Sequence, residues 1–438
     1  MNQSLRLPAW FHNTLVPLFL LTVCPPAVFV FWYINTTLGG SFETFWQIAS
    51  EQGMLTTVAS IWAPVFFGSA TAWKILFCYA VFQLFLMKAV PGKPLLGPIT
   101  PKGNIPVYKD NGIACFIITI CTFLAGGYVF HWFPPSILYD NLGYLLGALN
   151  FFSLLFCLFL YLKGIFAPSS SDHGVTGNPV FDYYWGTELY PLFFGWNIKQ
   201  FTNCRFGMMG WPLLLLSYAA AQQNLFGHIS DSMLIAVALQ LIYVGKFFLW
   251  EGGYLRSLDI MHDRAGFMIC WGCLVWLPCI YTSPTLYLVE HPNHLGMLQA
   301  SLIFLAGASC IIINYLADRQ RQKVREKQGQ CLVWRRTPRL IQTTYVTQDG
   351  QTNQGLLLAS GWWGISRHFH YVPEILGAFF WSVPALFSNF LPYFYVSFLT
   401  ILLLDRAFRH DKRCQDKYGQ SWNEYCEIVP YKIIPYVF

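Results

Sequence analysis

The stretch SGWWGISRHFHY, residues 360–371, packs Ser360, Trp362, Trp363, Arg367, His368, His370 and Tyr371 close together. Gly361 and Gly364 leave room for the backbone to approach a ligand. Aromatic faces beside a guanidinium and two imidazoles suit a flat, charged cofactor. An interfacial aromatic belt is the plainer reading. It accounts for the tryptophans but not for the RHFHY cluster. Just upstream runs DRQRQKVREKQGQCLVWRRTPR, residues 318–339, in which Arg321 and Arg325 are four apart and share a helical face. Planar groups with permanent charge there would hold phosphates. They would equally serve as a basic anchor at a membrane surface. Downstream, Arg406, Arg409, His410 and Asp411 directly follow an apolar run, so Arg406 faces both Arg409 and His410 on a helix.

A second gathering of ionisable groups lies nearer the middle: Tyr243, Lys246, Glu251, Asp259, His262, Asp263 and Tyr281. Carboxylates crowded at a membrane cavity acquire raised pKa values and act as proton donors. The same residues also read as a polar helix end between two spans. Several site classes are unsupported. No glycine-rich dinucleotide fingerprint follows a strand, and no phosphate-loop or HExxH motif occurs. The thirteen cysteines are scattered through apolar runs, and the one CxxC pair, Cys270 with Cys273, is unaccompanied. Small buried hydrophobes explain them better than a disulfide framework or a zinc site.

The elements that must position these groups are membrane helices. Of 438 residues, 55% are hydrophobic and only 11% charged, against about a quarter charged in soluble domains. The expected fold is an all-α polytopic membrane protein of about ten helices, each needing about 20 apolar residues. The spans fall near 15–33, 61–87, 113–132, 142–166, 206–221, 233–249, 266–286, 297–316, 375–387 and 391–404, the last two short enough to form a hairpin. Loops 34–60, 133–141, 222–232, 287–296 and 388–390 contain no Lys or Arg. The N-terminus, the alternate loops and the tail carry the basic residues, which places both termini in the cytoplasm. Lys74 and Lys246 sit inside spans, where a charge faces a cavity or a partner, or snorkels. Lys74 is a candidate break point in its span. The chain divides at 205 into N-terminal helices with their cytoplasmic loop and a C-terminal catalytic membrane region, 206–438. Buried lysines also fit a transporter, but no internal repeat supports that class.

From Leu86 onward the chain resembles the sterol reductase family, which takes in Δ14- and Δ24(28)-sterol reductases, Δ7-sterol reductases and the lamin B receptor membrane domain. The segments that carry the resemblance are VPGKPLLGPITPKGNIPVYKDNG, TGNPVFDYYWGTELYP, YLRSLDIMHDRAGF with WGCLVWLP, LLLASGWWGISRHFHY, LPYFY and RCQDKYGQSWNEYCEIVPYKIIP. LLSYAAAQQ, LPCIYTSPTLYLVEHP, GQCLVWRRTPRLI and TYVTQDGQ look most like the Δ7 branch.

The resemblance implies an oxidoreductase of sterol biosynthesis that reduces a ring C=C bond by protonation followed by hydride transfer from NADPH. The expected substrate is the Δ7 bond of a 7-dehydrocholesterol-like sterol entering from the bilayer. A Δ14 or Δ24 bond, or a weakened relative that binds sterol or NADPH, is the alternative. It also implies a C-terminal cofactor fold shared with isoprenylcysteine methyltransferases, and residence in the endoplasmic reticulum of a eukaryote or the inner membrane of a bacterium. Carried over by motif, the NADPH set is Arg321, Arg325, Trp363, Arg367, His368, Arg406 and Tyr418. The acid would come from Tyr243, Glu251 or Asp259, with Asp263 in support. No metal is implied. The chain departs from the family pattern at Lys246, Cys273, His370, Pro373, Glu374, Asp405 and His410, several of them positions where an acid is usual.

Overall fold

The computed structural model describes every residue except 1–7, 9, 347–349 and 351. Arg6 of the basic N-terminus and part of the TYVTQDGQ stretch therefore lie outside the described residues. The chain is mostly helical, and among the described residues eight helices are long and apolar enough to cross a membrane. They are Phe11–Thr36, Ala70–Ala89, Gly112–Val129, Leu142–Phe166, Asp231–Leu249, Phe267–Leu288, Gly296–Glu326 and Leu391–Tyr418. This is an integral membrane architecture.

The other two expected spans are also helices. Met208–Phe226 ends on Gln222, Gln223 and Asn224, which dilute its apolar character. Gln222 is nonetheless fully enclosed, its amide donating to the Leu288 carbonyl at 2.6 Å. Tyr371–Ser382 has only 12 residues and tightens into the turn Val383–Ala385.

The expected span 61–87 needs correction. Its first residues belong to Met54–Trp62, which follows the helix Phe42–Gln52. The break falls at 63–69, before Lys74, because Pro64 and the left-handed Gly68 (φ +72°) interrupt the helical ladder there. Ser69 then caps the new helix, accepting from the Ala72 amide at 3.1 Å. The break nests against Leu142–Phe166 so closely that a Cβ on Gly147 would lie 1.7 Å from the Val65 carbonyl oxygen.

One hydrophobic core runs from Val28 to Ile433. Beside it lies a smaller layer in which the antiparallel hairpin Leu340–Val346/Thr352–Leu358 packs on the end of Leu391–Tyr418 and on Gln420–Ile428. Alternation explains the hairpin: Ile341 and Thr343 are buried, while Gln342 and Thr344 are exposed. Charges also hold the loops. Lys163 pairs with Glu188 at 2.8 Å. Lys199, fully buried, donates to the carbonyls of Leu189, Ile260 and Asp263. Arg205, equally buried, forks onto the Glu251 carboxylate and reaches Asn111 Oδ1 at 2.9 Å. Two of the basic residues in loop 167–205 are thus internal ties rather than surface charge.

Candidate active site

Three segments converge on one cleft: the polar end of Gly296–Glu326, the loop 359–371, and the polar end of Leu391–Tyr418. All seven residues expected to hold the cofactor lie on them. Arg321 lies 3.8 Å over the Trp363 ring. The Trp363 indole donates to the Ala317 carbonyl at 2.8 Å, and the Tyr425 hydroxyl donates to the Trp363 carbonyl at 2.9 Å. That fixes the tryptophan face. Arg325 is one turn further on, in electrostatic reach of Arg321 and Tyr418. Arg367 donates to the Val429 and Pro430 carbonyls at 2.9 Å each, and to Asp411 at 3.4 Å. Asp411 also meets His368 at 3.4 Å and Lys432 at 3.3 Å. His368 stacks on Tyr371 at 5.2 Å.

The cleft also holds residues outside the expected set. His370 lies 4.8 Å from Trp363, and His410 stands edge-on to His368 at 5.0 Å. Burial pushes the pKa of His368 down, against the pull of Asp411, and pushes that of His370 well down, reinforced by Arg321 and the neighbouring imidazoles. Both rings are therefore neutral at neutral pH. Cations outnumber acids among the described residues: Arg321, Arg325, Arg367, Arg406, Arg413 and Lys432 are set against Asp259, Asp263, Asp318 and Asp411. Buried Arg367 Nε, His370 Nδ1 and Arg413 Nη1 have no partner among the described residues. Surplus positive charge and orphaned donors fit a phosphorylated dinucleotide. His368, His410 and Asp411 lie close enough to share a metal ion. Arg367 and Lys432 already neutralise Asp411, so the charge balance favours an anion over a second cation.

The four expected proton donors meet four different fates. Tyr243 points into a cage of Trp381 and Trp211, with ring centroids at 5.1 and 5.7 Å. Its hydroxyl donates to the Glu374 carboxylate. Lys246 lies 4.9 Å over the Tyr243 ring and 4.0 Å from the other Glu374 oxygen. The lysine also donates to Asn314 at 2.5 Å, and Asn314 donates to the His370 carbonyl at 2.9 Å. Asp259 accepts from Arg406 at 2.9 Å and so ties the central block to the cleft. Asp263 sits between His262 at 3.1 Å and Arg409 at 3.4 Å. Burial alone would raise its pKa, but the His262 hydrogen bond and the Arg409 charge lower it, so it stays ionised. Glu251 is consumed by Arg205.

The chain therefore brings Tyr243 and Asp259 to the cleft and holds Glu251 and Asp263 in structural pairs. Glu374 and Asn314 are the functional candidates that spacing alone did not single out. Glu374 stood out in the sequence only as an unusual acid, and Asn314 carried no signal inside its apolar run.

A sequence model described as "Ergosterol biosynthesis ERG4/ERG24 family" matches residues 22–438. A protein of Arabidopsis thaliana named 7-dehydrocholesterol reductase is 53% identical over 424 residues, covering 96% of each chain. The protein of the same name from Xenopus laevis is 37% identical over 381 residues, 84% of this chain and 80% of its own. A Delta(14)-sterol reductase of Methylotuvimicrobium alcaliphilum is 34% identical over 429 residues, 96% of this chain and 94% of its own.

Proposed function

The chain belongs to the ergosterol biosynthesis ERG4/ERG24 family, and from that premise we propose that it reduces the Δ7 bond of a 7-dehydrocholesterol-like sterol with NADPH. Reduction of a sterol C=C bond is the activity named for its relatives. The choice of Δ7 over Δ14 is supported by the higher identity to the relatives of that name. The observation that carries the chemistry is the Tyr243 hydroxyl, hydrogen-bonded to Glu374, which stands one helical turn from the His368–Tyr371 stack at the edge of the arginine cleft.

NADPH bound in the cleft would supply hydride. Arg321, Arg325, Arg367 and Arg406 would hold its phosphates, with Trp363, His368 and Tyr418 along its rings. The chain's own part is the proton. Tyr243 gives its phenolic proton to one carbon of the double bond, leaving positive charge on the neighbouring carbon. Lys246, over the Tyr243 ring, offsets the phenolate that results. The faces of Trp211, Trp381 and Tyr395 line the same space and stabilise a cation by their quadrupoles. Once hydride reaches the cationic carbon, the sterol is saturated there. Glu374 and Lys246 are placed to return a proton to Tyr243. The sterol enters from the bilayer. The basic loops and the cleft face the cytoplasm, where NADPH is soluble, with both termini on that side.

Purified protein in lipid, given NADPH and separate Δ7, Δ14 and Δ24 sterols, should convert the Δ7 sterol, with the product read by mass. Tyr243→Phe should lower kcat by about 10²–10⁴-fold, the usual worth of a positioned acid, while KM for NADPH stays put. A panel in which every sterol returns unreduced would defeat the assignment and favour a ligand-binding relative. Conversion of only the Δ14 or Δ24 sterol would reassign the bond.

A further inference from the structure

The Met208–Phe226 helix presents Trp211 to Tyr243 on one face. On an adjacent face, Gly210, Leu213 and Leu214 border a separate cavity of about 370 Å³. Leu145, Leu146 and Leu149 close another side, and Cys273, Leu274 and Pro278 a third. Such a volume is well over twice that of the roughly 150 Å³ engineered apolar cavity that stays dry and takes benzene. Water gains nothing here: the Tyr79 hydroxyl on the wall is already committed, donating to the Phe206 carbonyl at 2.9 Å.

One cation stands at the edge. Lys74 lines the cavity, is exposed, and has no hydrogen bond, ion pair or ring contact among the described residues. It is the fifth residue of Ala70–Ala89, about 6 Å along the axis at 1.5 Å per residue. Peptide dipoles make that end of a helix positive, which favours an anion and disfavours a lone ammonium. The same helix turns Phe77, Val81 and Phe85 outward as an exposed apolar stripe, so Lys74 heads a surface that faces lipid acyl chains. A charge so placed calls for a partner, and no carboxylate among the described residues supplies one.

We propose that this cavity binds a long-chain fatty acid drawn from the bilayer, its alkyl tail in the cavity and its carboxylate on Lys74. An apolar void with one unpaired cation at its rim matches one chain with one small anionic head. A sterol matches the void but leaves the ammonium without a counter-charge. A two-chain phospholipid would have to bring its phosphate and second tail about a turn below the helix end. The site is distinct from the Tyr243 cage, and its occupancy would brace the Met208–Phe226 helix that carries Trp211.

The probe is a photoreactive palmitate analogue, added to the full chain in neutral-lipid nanodiscs, with crosslinked peptides mapped by mass. Label should fall on peptides covering 70–89 and 201–226. Excess palmitate should remove it, while cholesterol and phosphatidylglycerol should not. Lys74→Met should weaken labelling at least about tenfold, as loss of a charge-assisted contact entails, and Lys74→Arg should retain it. At Gly210 an added Cβ meets only the Tyr79 hydroxyl, at 3.5 Å, so Gly210→Leu enters the cavity and should abolish the label. Melting temperatures check that each variant is folded, and the competition series on the unmodified protein stands without any variant. Label elsewhere, equal labelling of folded Lys74→Met, or displacement by cholesterol or phosphatidylglycerol as readily as by palmitate would overturn the proposal.

Discussion

Replacing Glu251 by alanine separates a structural acid from a catalytic one. Its carboxylate and the Arg205 guanidinium are both 0% exposed at the side chain. Arg205 spends its two terminal nitrogens on Glu251 and Asn111, while its Nε is buried without a partner among the described residues. The enclosure is tight: a Cβ on Gly112 would lie 2.2 Å from Glu251 Oε2. Glu251→Ala therefore strands a buried cation, a change that costs about 3–5 kcal/mol. With unfolding entropy of about 2.1 cal/mol/K per residue, a chain of 438 residues loses roughly 3–6 °C in Tm. The pair itself contributes far less than its disruption costs, so an apolar double replacement, Arg205→Met with Glu251→Leu, should recover most of the loss. Scanning fluorimetry of the detergent-solubilised protein reads the Tm, and sterol conversion per folded molecule reads the chemistry. Glu251→Ala should melt early, yet turn over near normally at a temperature where it stays folded. A variant that keeps its Tm within about a degree and loses turnover would make Glu251 the acid and refute the pairing argument.

The double change Arg321→Ala, Arg325→Ala should raise the KM for NADPH by at least about tenfold, since two charge-assisted contacts go, and should leave the Tm nearly unchanged; a normal KM would remove these arginines from the cofactor. Lys246→Met should lower kcat without altering cofactor affinity, because the ammonium over Tyr243 acts on the phenolate and not on the cleft; a loss of NADPH binding with intact kcat would contradict that. His368 and His370 have folded pKa values below the ordinary 6.5, through burial first. The unfolded chain therefore binds protons that the folded one refuses. Stability is full above pH 6.5 and should fall as the pH drops below it, towards the depressed folded values. His370→Gln should flatten the Tm profile in that window; an unchanged slope would place the sensitivity elsewhere.

What the sequence made legible was local. The period and length of apolar runs put the helices in place, and the i, i+4 relation of Arg321 and Arg325 put both on one face. The crowding of SGWWGISRHFHY marked one wall of the cleft. The break before Lys74 was misplaced because what decides it is contact. Pro64 and Gly68 interrupt the helix where Gly147 lets the Val65 carbonyl approach, and nothing at 65 names its partner at 147. The smaller count of long apolar helices has a similar cause. Met208–Phe226 is polar at its end in part because Gln222 bonds to neighbouring backbone, which hydropathy cannot register.

The roles of the acids were the least legible, and for a physical reason. Tyr243, Glu251, Asp259 and Asp263 stand within 21 residues of one another and look alike as donors. Their partners do not. Glu251 is answered by Arg205, 46 positions away, Asp263 by Arg409, 146 away, and Asp259 by Arg406, 147 away. Each of these acids is engaged by a cation, its carboxylate spent as the acceptor of an ion pair. Tyr243 alone among the four finds another acid, Glu374, 131 positions away, with Lys246 beside it. Two residues that depart from the family pattern thus meet around one hydroxyl. Taken singly, Lys246 reads as a lost proton donor. Taken with Glu374, it is a counter-charge that lets a carboxylate sit next to a phenol inside a membrane protein. Lys246→Met with Glu374→Gln should then be milder for folding than Lys246→Met alone, because the single change leaves an uncompensated carboxylate. Double-mutant cycles on Tm measure that coupling, and additive losses would show that the two charges do not see each other.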